Sequence, residues 1–222
     1  MSEDLSREET LKELASQLRM PHDENGIRVA HSMNETNLGM ITSAINSLAL
    51  QAGDKVLELG PGNCAHLNQL LGKANQINYT ALELSTLMQQ EAMRLNQDAY
   101  VRKQASFVLY DGTNIPFDVD TFDKVMTVNT IYFWEKPLDL LMELYRVMKP
   151  GGLFSIVFAQ REFMEKLPFT PFGFQLYDTG NVEVLIQQTP FKMMHIENTT
   201  ERIKGNLLEM VDRTYTTFTV RK

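Results

Sequence analysis

Glu58, Glu83 and Asp111 each stand at the end of a short apolar run, and Gly60 and Gly62 follow the first of them. The segment Val56-Leu57-Glu58-Leu59-Gly60-Pro61-Gly62-Asn63-Cys64-Ala65 sets a glycine turn between a strand pattern and a helix pattern. Glycine lets the backbone turn sharply and approach a ligand closely. A helix N-terminus behind such a turn aims its free N–H groups at that ligand. Glu83 ends the next apolar run, 83 − 62 = 21 residues past the second glycine, where a carboxylate can accept from ribose hydroxyls. Together these features predict a nucleoside-containing ligand. Gly60-x-Gly62-x-x-Ala65 is also compatible with a dinucleotide fingerprint. Glu58 favours a different ligand, because a carboxylate two residues before the first glycine repels a pyrophosphate and suits an ammonium or a sulfonium. Asp111-Gly112 follows the third apolar run, where an acidic side chain can accept from an adenine amino group.

Alternating strands and helices must carry these residues. From Lys55 onward the chain reads as parallel βαβ units. Strands are predicted at Val56–Leu59, Ile77–Leu84, Ser106–Tyr110, Phe122–Asn129 and Leu153–Phe158. Helices are predicted at Ala65–Ala74, at Thr86 to about Ala99, and at Pro137–Met148, where proline opens the first turn. Short helices at Arg161–Leu167 and Asn181–Gln188, then a hairpin of Met193–Ile203 and Tyr215–Lys222, complete the pattern. Before the first strand, Ser6–Arg19 reads as an amphipathic helix opened by a Ser6/Glu9 capping box. A second helix is expected from about Glu35 to about Leu50, with a loop around Arg28–Asn37 placed to act as a lid. The expected organisation is one compact unit: an N-terminal helical cap at 1–52 and an α/β body at 53–222.

Four ordered motifs between Lys55 and Ala159 resemble the class I S-adenosylmethionine-dependent methyltransferases. They are Val56-Leu57-Glu58-Leu59-Gly60-Pro61-Gly62, the Glu83 strand end, Asp111-Gly112 with Ile115-Pro116-Phe117, and Leu144-Tyr145-Arg146-Val147-Met148-Lys149-Pro150-Gly151-Gly152. The last, a helix closing in Lys-Pro-Gly-Gly before a fifth strand, is unlike dehydrogenases and similar in style to the quinone-biosynthesis branch. The resemblance implies a Rossmann-like, seven-stranded mixed sheet, its last strand antiparallel, with helices on both faces. It also implies S-adenosyl-L-methionine as cofactor. Glu58, Gly60 and Gly62 would line its methionine part, Glu83 would bind the ribose, Asp111 would meet adenine, Asn129 would lie near the amino end, and Asn63, Leu84 and Gly112 would also border the cofactor. The expected function is methyl transfer to a small-molecule acceptor by in-line displacement. A nucleotide-dependent oxidoreductase and a catalytically silent methyltransferase-like binding domain remain the alternatives.

No residue type or spacing names a general base, so the catalytic residue is unknown at this level. Tyr132 and Trp134, in Asn129-Thr130-Ile131-Tyr132-Phe133-Trp134, and His31 in the cap are the candidate substrate-pocket residues. Phe163, Phe169, Phe172, Phe174 and Tyr177 either cover the edge after the fifth strand or form an apolar substrate wall, which makes an apolar or aromatic acceptor a natural expectation. The single cysteine, Cys64, reads as a small loop residue. The four histidines have no ligand spacing, so no metal is expected.

Charge narrows the partners. Lys and Arg total 21 against 28 Asp and Glu, a net charge of −7, and no basic stripe stands ready to neutralise phosphates, so nucleic acid is disfavoured. No apolar run reaches the ~20 residues of a membrane span, and the charged stretch Met1–Met20 is not a secretory signal. These traits suit a cytoplasmic protein. No feature prescribes an oligomeric state.

Overall fold

The computed structural model describes residues 2–204 and 209–222. Five parallel strands, β1 (Lys55–Leu59), β2 (Asn78–Glu83), β3 (Ala105–Leu109), β4 (Phe122–Val128) and β5 (Met148–Ala159), join the antiparallel pair β6 (Lys192–Lys204) and β7 (Met210–Arg221). The sheet has seven strands in the order β3-β2-β1-β4-β5-β7-β6. The order reverses at β1 and β4, which leaves a crevice beyond their C-terminal ends where such sheets bind ligands. The central strands are covered on both faces, as parallel strands require: Val56, Leu57, Val125 and Met126 are fully buried.

The helices are α1 (Ser2–Arg19), α2 (Asp23–Thr36), α3 (Leu38–Ser47), α4 (Leu67–Leu71), α5 (Thr86–Leu95), α6 (Gln97–Val101), α7 (Pro137–Val147), α8 (Arg161–Met164) and α9 (Thr179–Gln187). Adjacent residues of β5 show that both faces are covered, since successive strand side chains point opposite ways. Ser155 bonds Ser47 of α3 at 2.8 Å, whereas Phe154 packs on Phe191, which packs on Tyr145 of α7. Within α3, Met40, Ala44 and Ile45 are buried, and Ser43 bonds Thr217 of β7. This helix is therefore part of the packed sheet face as well as the end of the N-terminal segment.

Several boundaries differ from the expected ones. The first helix begins at Ser2, so Ser6 lies inside it, its carbonyl accepting from Thr10 Oγ1, and no capping box forms there. The expected loop at Arg28–Asn37 is helix α2 followed by a one-residue break at Asn37, and the expected 35–50 helix is α3 alone. The small residues that dilute the apolar pattern of α2 are the ones its packing uses. Gly26 and Ala30 are buried, and a Cβ at Gly26 would come within 3.0 Å of Pro21 and Leu87. The helix expected over Thr86–Ala99 is broken at Asn96, whose side-chain amide donates to the carbonyls of Ala92 and Cys64 and so ties the helix end to the glycine turn. The helix expected over Ala65–Ala74 is reduced to α4, because the turn before it runs on through Cys64 in the left-handed region, φ 51°. Among the described residues, no helix is long and apolar enough to cross a membrane.

Candidate active site

One cleft lies beyond the C-terminal ends of β1, β2 and β4. The turn after β1 carries Glu58, Gly60, Gly62 and Asn63 into its wall, β2 brings Glu83 and Leu84, and the turn after β3 brings Asp111 and Gly112. Asn129 and Trp134, from the segment after β4, also line it. The opposite wall comes from α1, α2 and α3 through Leu18, Ala30, Met33, Asn34, Asn37 and Ile41. Arg19 and Glu135, paired at 3.1 Å, stand at the rim.

The glycine turn has no freedom in its sequence. Gly60 has φ 63°, and a Cβ there would come within 2.6 Å of the Thr130 methyl. Gly62 has φ 60° and faces open space. A side chain at Gly62 would be conformationally strained and would fill the space beside the turn. Three amides of this turn are spent on protein acceptors. Gly60 N–H donates to the Leu82 carbonyl at 2.8 Å, Cys64 N–H to the Pro61 carbonyl at 3.2 Å, and Gly62 N–H to Glu83 Oε2 at 3.0 Å. At these three positions no N–H is left for a ligand. A pyrophosphate needs such amides; a cationic nucleoside does not.

The three acids differ in their surroundings. Glu58 is buried, and its Oε2 accepts from Tyr79 Oη at 2.6 Å and from His66 Nε2 at 2.8 Å. Glu83 accepts the Leu84 and Ser85 amides on Oε1 and the Gly62 amide on Oε2. Burial pushes its carboxyl up to about 6, against the opposing pull of those three amides. Asp111 is exposed. Its Oδ1 accepts from both Thr113 donors and the Asn114 amide, and its Oδ2 from the Asn114 side chain. These bonds hold the carboxyl well below its usual range and commit most of its acceptor capacity to the turn itself.

The remaining expected residues divide. Asn129 adopts φ 57°. Its Nδ2 donates to Asn37 Oδ1 at 3.0 Å, and its Oδ1 accepts from the Ala159 amide, with Tyr132 Oη 3.1 Å away. The Asn129 side chain is thus occupied by protein partners. Trp134 is buried at the cleft edge, with Nε1 donating to Thr130 Oγ1. Tyr132 does not line the cleft: it is buried, donates to the Ala159 carbonyl at 2.9 Å, and has its hydroxyl pushed up by burial. His31 is exposed on α2 and lies outside the cleft lining. None of the aromatics after β5 lines this cleft. Phe174 packs on Tyr132, Phe133 and Phe169, and of this group only Phe133 reaches the cleft. Sequence reasoning missed His66 and Asn37, whose partners lie on other elements, and Asn34, which no local pattern marks. Among the described residues, no group of three or more His, Cys, Asp or Glu side chains is arranged to hold a metal ion.

Comparison with known proteins agrees with this geometry. A family described as a methyltransferase domain matches residues 57–156. The uncharacterized methyltransferase YdaC of Bacillus subtilis is 30% identical over 122 residues, covering 53% of this chain and 63% of that protein. The match thus spans less than two thirds of that relative. Among solved structures, a Haloferax volcanii methyltransferase in complex with the Trm112 methyltransferase activator superposes with a TM-score of 0.70 at 18% identity, covering 85% of this chain and 92% of that one. A SAM-dependent methyltransferase from Aquifex aeolicus gives 0.64 at 16% identity over 95% of this chain and 98% of that one. At such identities the structural likeness speaks to the fold alone. Residues 57–156 are thus similar to a methyltransferase domain, and the fold that carries them is one found in S-adenosylmethionine-dependent methyltransferases.

Proposed function

We propose that this chain transfers a methyl group from S-adenosyl-L-methionine to a small, largely apolar acceptor held under its N-terminal helices. The observation that carries the reading is the acidic cradle. Glu58 and Glu83 flank a glycine turn whose Gly60, Gly62 and Cys64 amides are already spent on protein acceptors. Such a cradle suits a positively charged nucleoside and opposes a dinucleotide phosphate. When bound, the cofactor supplies a methyl group activated by a sulfonium leaving group.

The residues then divide the work of alignment and exclusion. Glu58 offers a carboxylate to the ammonium of the amino-acid tail, and Glu83 offers one to the ribose hydroxyls. Asp111, Gly112 and Leu84 border the adenine. Gly62 leaves the space the tail needs. In this reading the first 52 residues act as a cap over a body spanning 53–222, with α3 shared between them. Leu18, Ala30, Met33, Ile41, Phe133 and Trp134 supply the apolar acceptor wall, and Asn34 and Asn37 supply its polar points. Enclosure by α1 and α2 excludes water and fixes the line of attack, where most of the rate enhancement of such a displacement arises. The apolar character of the acceptor rests on the cap helices, since none of the aromatics after β5 lines the cleft.

The acceptor is testable with cofactor carrying a deuterated methyl group. The enzyme is incubated with fractionated small metabolites, with protein and with nucleic acid, and the label is followed by mass spectrometry. Label is expected in a small apolar compound, and the Met33→Gln and Trp134→Ala variants should raise KM for that compound about tenfold or more, the size of effect expected from losing a buried apolar contact. Label found only in protein or nucleic acid would overturn the small-molecule reading.

A further inference from the structure

The glycine turn carries a second ionisable residue to which the reading above gives no task. His66 follows Gly62 closely, its side chain is 5% exposed, and it lines the cleft. A carboxylate only accepts, so the 2.8 Å contact of His66 Nε2 with Glu58 Oε2 fixes a proton on Nε2. The same oxygen takes the Tyr79 hydroxyl at 2.6 Å, and that hydroxyl lies 3.3 Å from the Cys64 thiol. Oε2 is therefore occupied twice.

The other atom of each partner is unspent. Among the described residues, neither Glu58 Oε1 nor His66 Nδ1 has a protein hydrogen-bond partner, and neither is among the fully enclosed polar atoms. Both residues border this cleft, which leaves one carboxylate oxygen and one ring nitrogen available to a ligand there. A zwitterionic amino acid presents the complement, an ammonium beside a carboxylate. Its carboxylate would otherwise enter a cleft that already holds Glu58 and Glu83, and like charges at short range repel strongly away from water. Arg19, the other basic residue on the lining, is at the rim and paired with Glu135.

The geometry points to His66 as the imidazolium that receives the α-carboxylate of the cofactor's amino-acid tail on Nδ1–H, while Glu58 Oε1 receives the α-ammonium. His66 is then the residue that makes the site select an intact amino acid. The inference rests on the reading of the cleft as an S-adenosylmethionine site. The charged state also fits the surroundings: burial pulls the imidazole toward its neutral form, but the Glu58 carboxylate outweighs it and the net shift is upward. The titratable groups around it are Glu58 from β1, Tyr79 and Glu83 from β2, and Cys64 in the turn.

Calorimetry with three ligands tests this: S-adenosylhomocysteine, its decarboxylated amine and 5′-methylthioadenosine, which lacks the amino-acid tail. His66→Gln keeps an N–H for Glu58 but carries no charge. The variant should bind S-adenosylhomocysteine about 10- to 100-fold more weakly, as expected for loss of a charge-assisted bond, and bind the other two as the wild type does. Equal weakening of all three, or no weakening of S-adenosylhomocysteine, would overturn the assignment. A second measurement needs no variant that folds. In the wild type, the ¹⁵N resonances of His66 should show its second proton held to higher pH with S-adenosylhomocysteine than with 5′-methylthioadenosine, and identical titrations would overturn the assignment. Wild type that binds none of the three ligands would overturn the cofactor reading together with this one. Wild type that binds all three equally would overturn this one alone.

Discussion

Glu83→Ala is expected to weaken S-adenosylhomocysteine binding by about 1–3 kcal/mol, roughly five- to 150-fold by calorimetry. The Glu83 carboxylate accepts three backbone amides, from Gly62, Leu84 and Ser85. A carboxylate has about four acceptor positions, so capacity remains for a ribose hydroxyl. Truncation removes that charged acceptor and also leaves the Gly62 amide without its partner, which loosens the turn against which the cofactor would lie. The same residue gives a pH signature. Its folded-state pKa is about 6 against the usual 4.5, so the folded protein holds a proton that the unfolded chain releases. Its contribution to stability is therefore full below about pH 4.5 and declines as pH rises to about 6, by about 2 kcal/mol for a shift of this size. Urea unfolding of the ligand-free protein across that window should show the decline, and the Ala variant should lack this component. Ligand affinity should run the other way and strengthen as Glu83 ionises. Unchanged affinity in the variant would mean that Glu83 does not contact the cofactor.

Arg213→Ala is expected to cost about 3 kcal/mol of stability, toward the lower end for breaking a buried ion pair, and for a domain of this size to lower Tm by roughly 6–12 °C. Arg213 is 4% exposed. It donates to Glu201 Oε1 through Nε and Nη2, to the Thr36 carbonyl through Nη2, and to Asn37 Oδ1 through Nη1. The Asn37 oxygen also accepts from Asn129, so one guanidinium links the β6–β7 hairpin, the break between α2 and α3, and the cleft floor. Its removal leaves Glu201, whose side chain is 22% exposed, without its cation in a poorly solvated place. Asn37 and Asn129 lose their common brace, so cofactor affinity should also fall, by less than in Glu83→Ala. A stability loss below about 0.5 kcal/mol, as at an unremarkable surface position, would contradict this account of the hairpin.

The parts of the fold legible in the sequence are those whose causes are local. Gly60 and Gly62 mark a turn because their positive φ values favour glycine, and Glu58 and Glu83 lie at the strand ends because the apolar runs stop there. The Lys149-Pro150-Gly151-Gly152 turn works the same way, with Gly151 at φ 82°. Helix α2 was hidden because Gly26 and Ala30, weak signals in a periodicity argument, are the points of close packing. The task of Asp111 is also local, but its acceptors are used by Thr113 and Asn114, which spacing alone does not reveal. Tyr132 and His31 were candidates by position, and position does not say whether a hydroxyl turns into the core or an imidazole toward water. The Arg213 brace joins residues 176 positions apart, so no local pattern records it.

The central claim is that the glycine turn with Glu58 and Glu83 cradles an adenosyl sulfonium rather than a dinucleotide. Parallel titrations of the purified chain with S-adenosylmethionine, S-adenosylhomocysteine and NADH test it most directly. The account predicts dissociation constants of about micromolar order for the first two, near −8 kcal/mol, and no heat of binding with NADH. Tight NADH binding, with neither adenosyl compound bound, would contradict it.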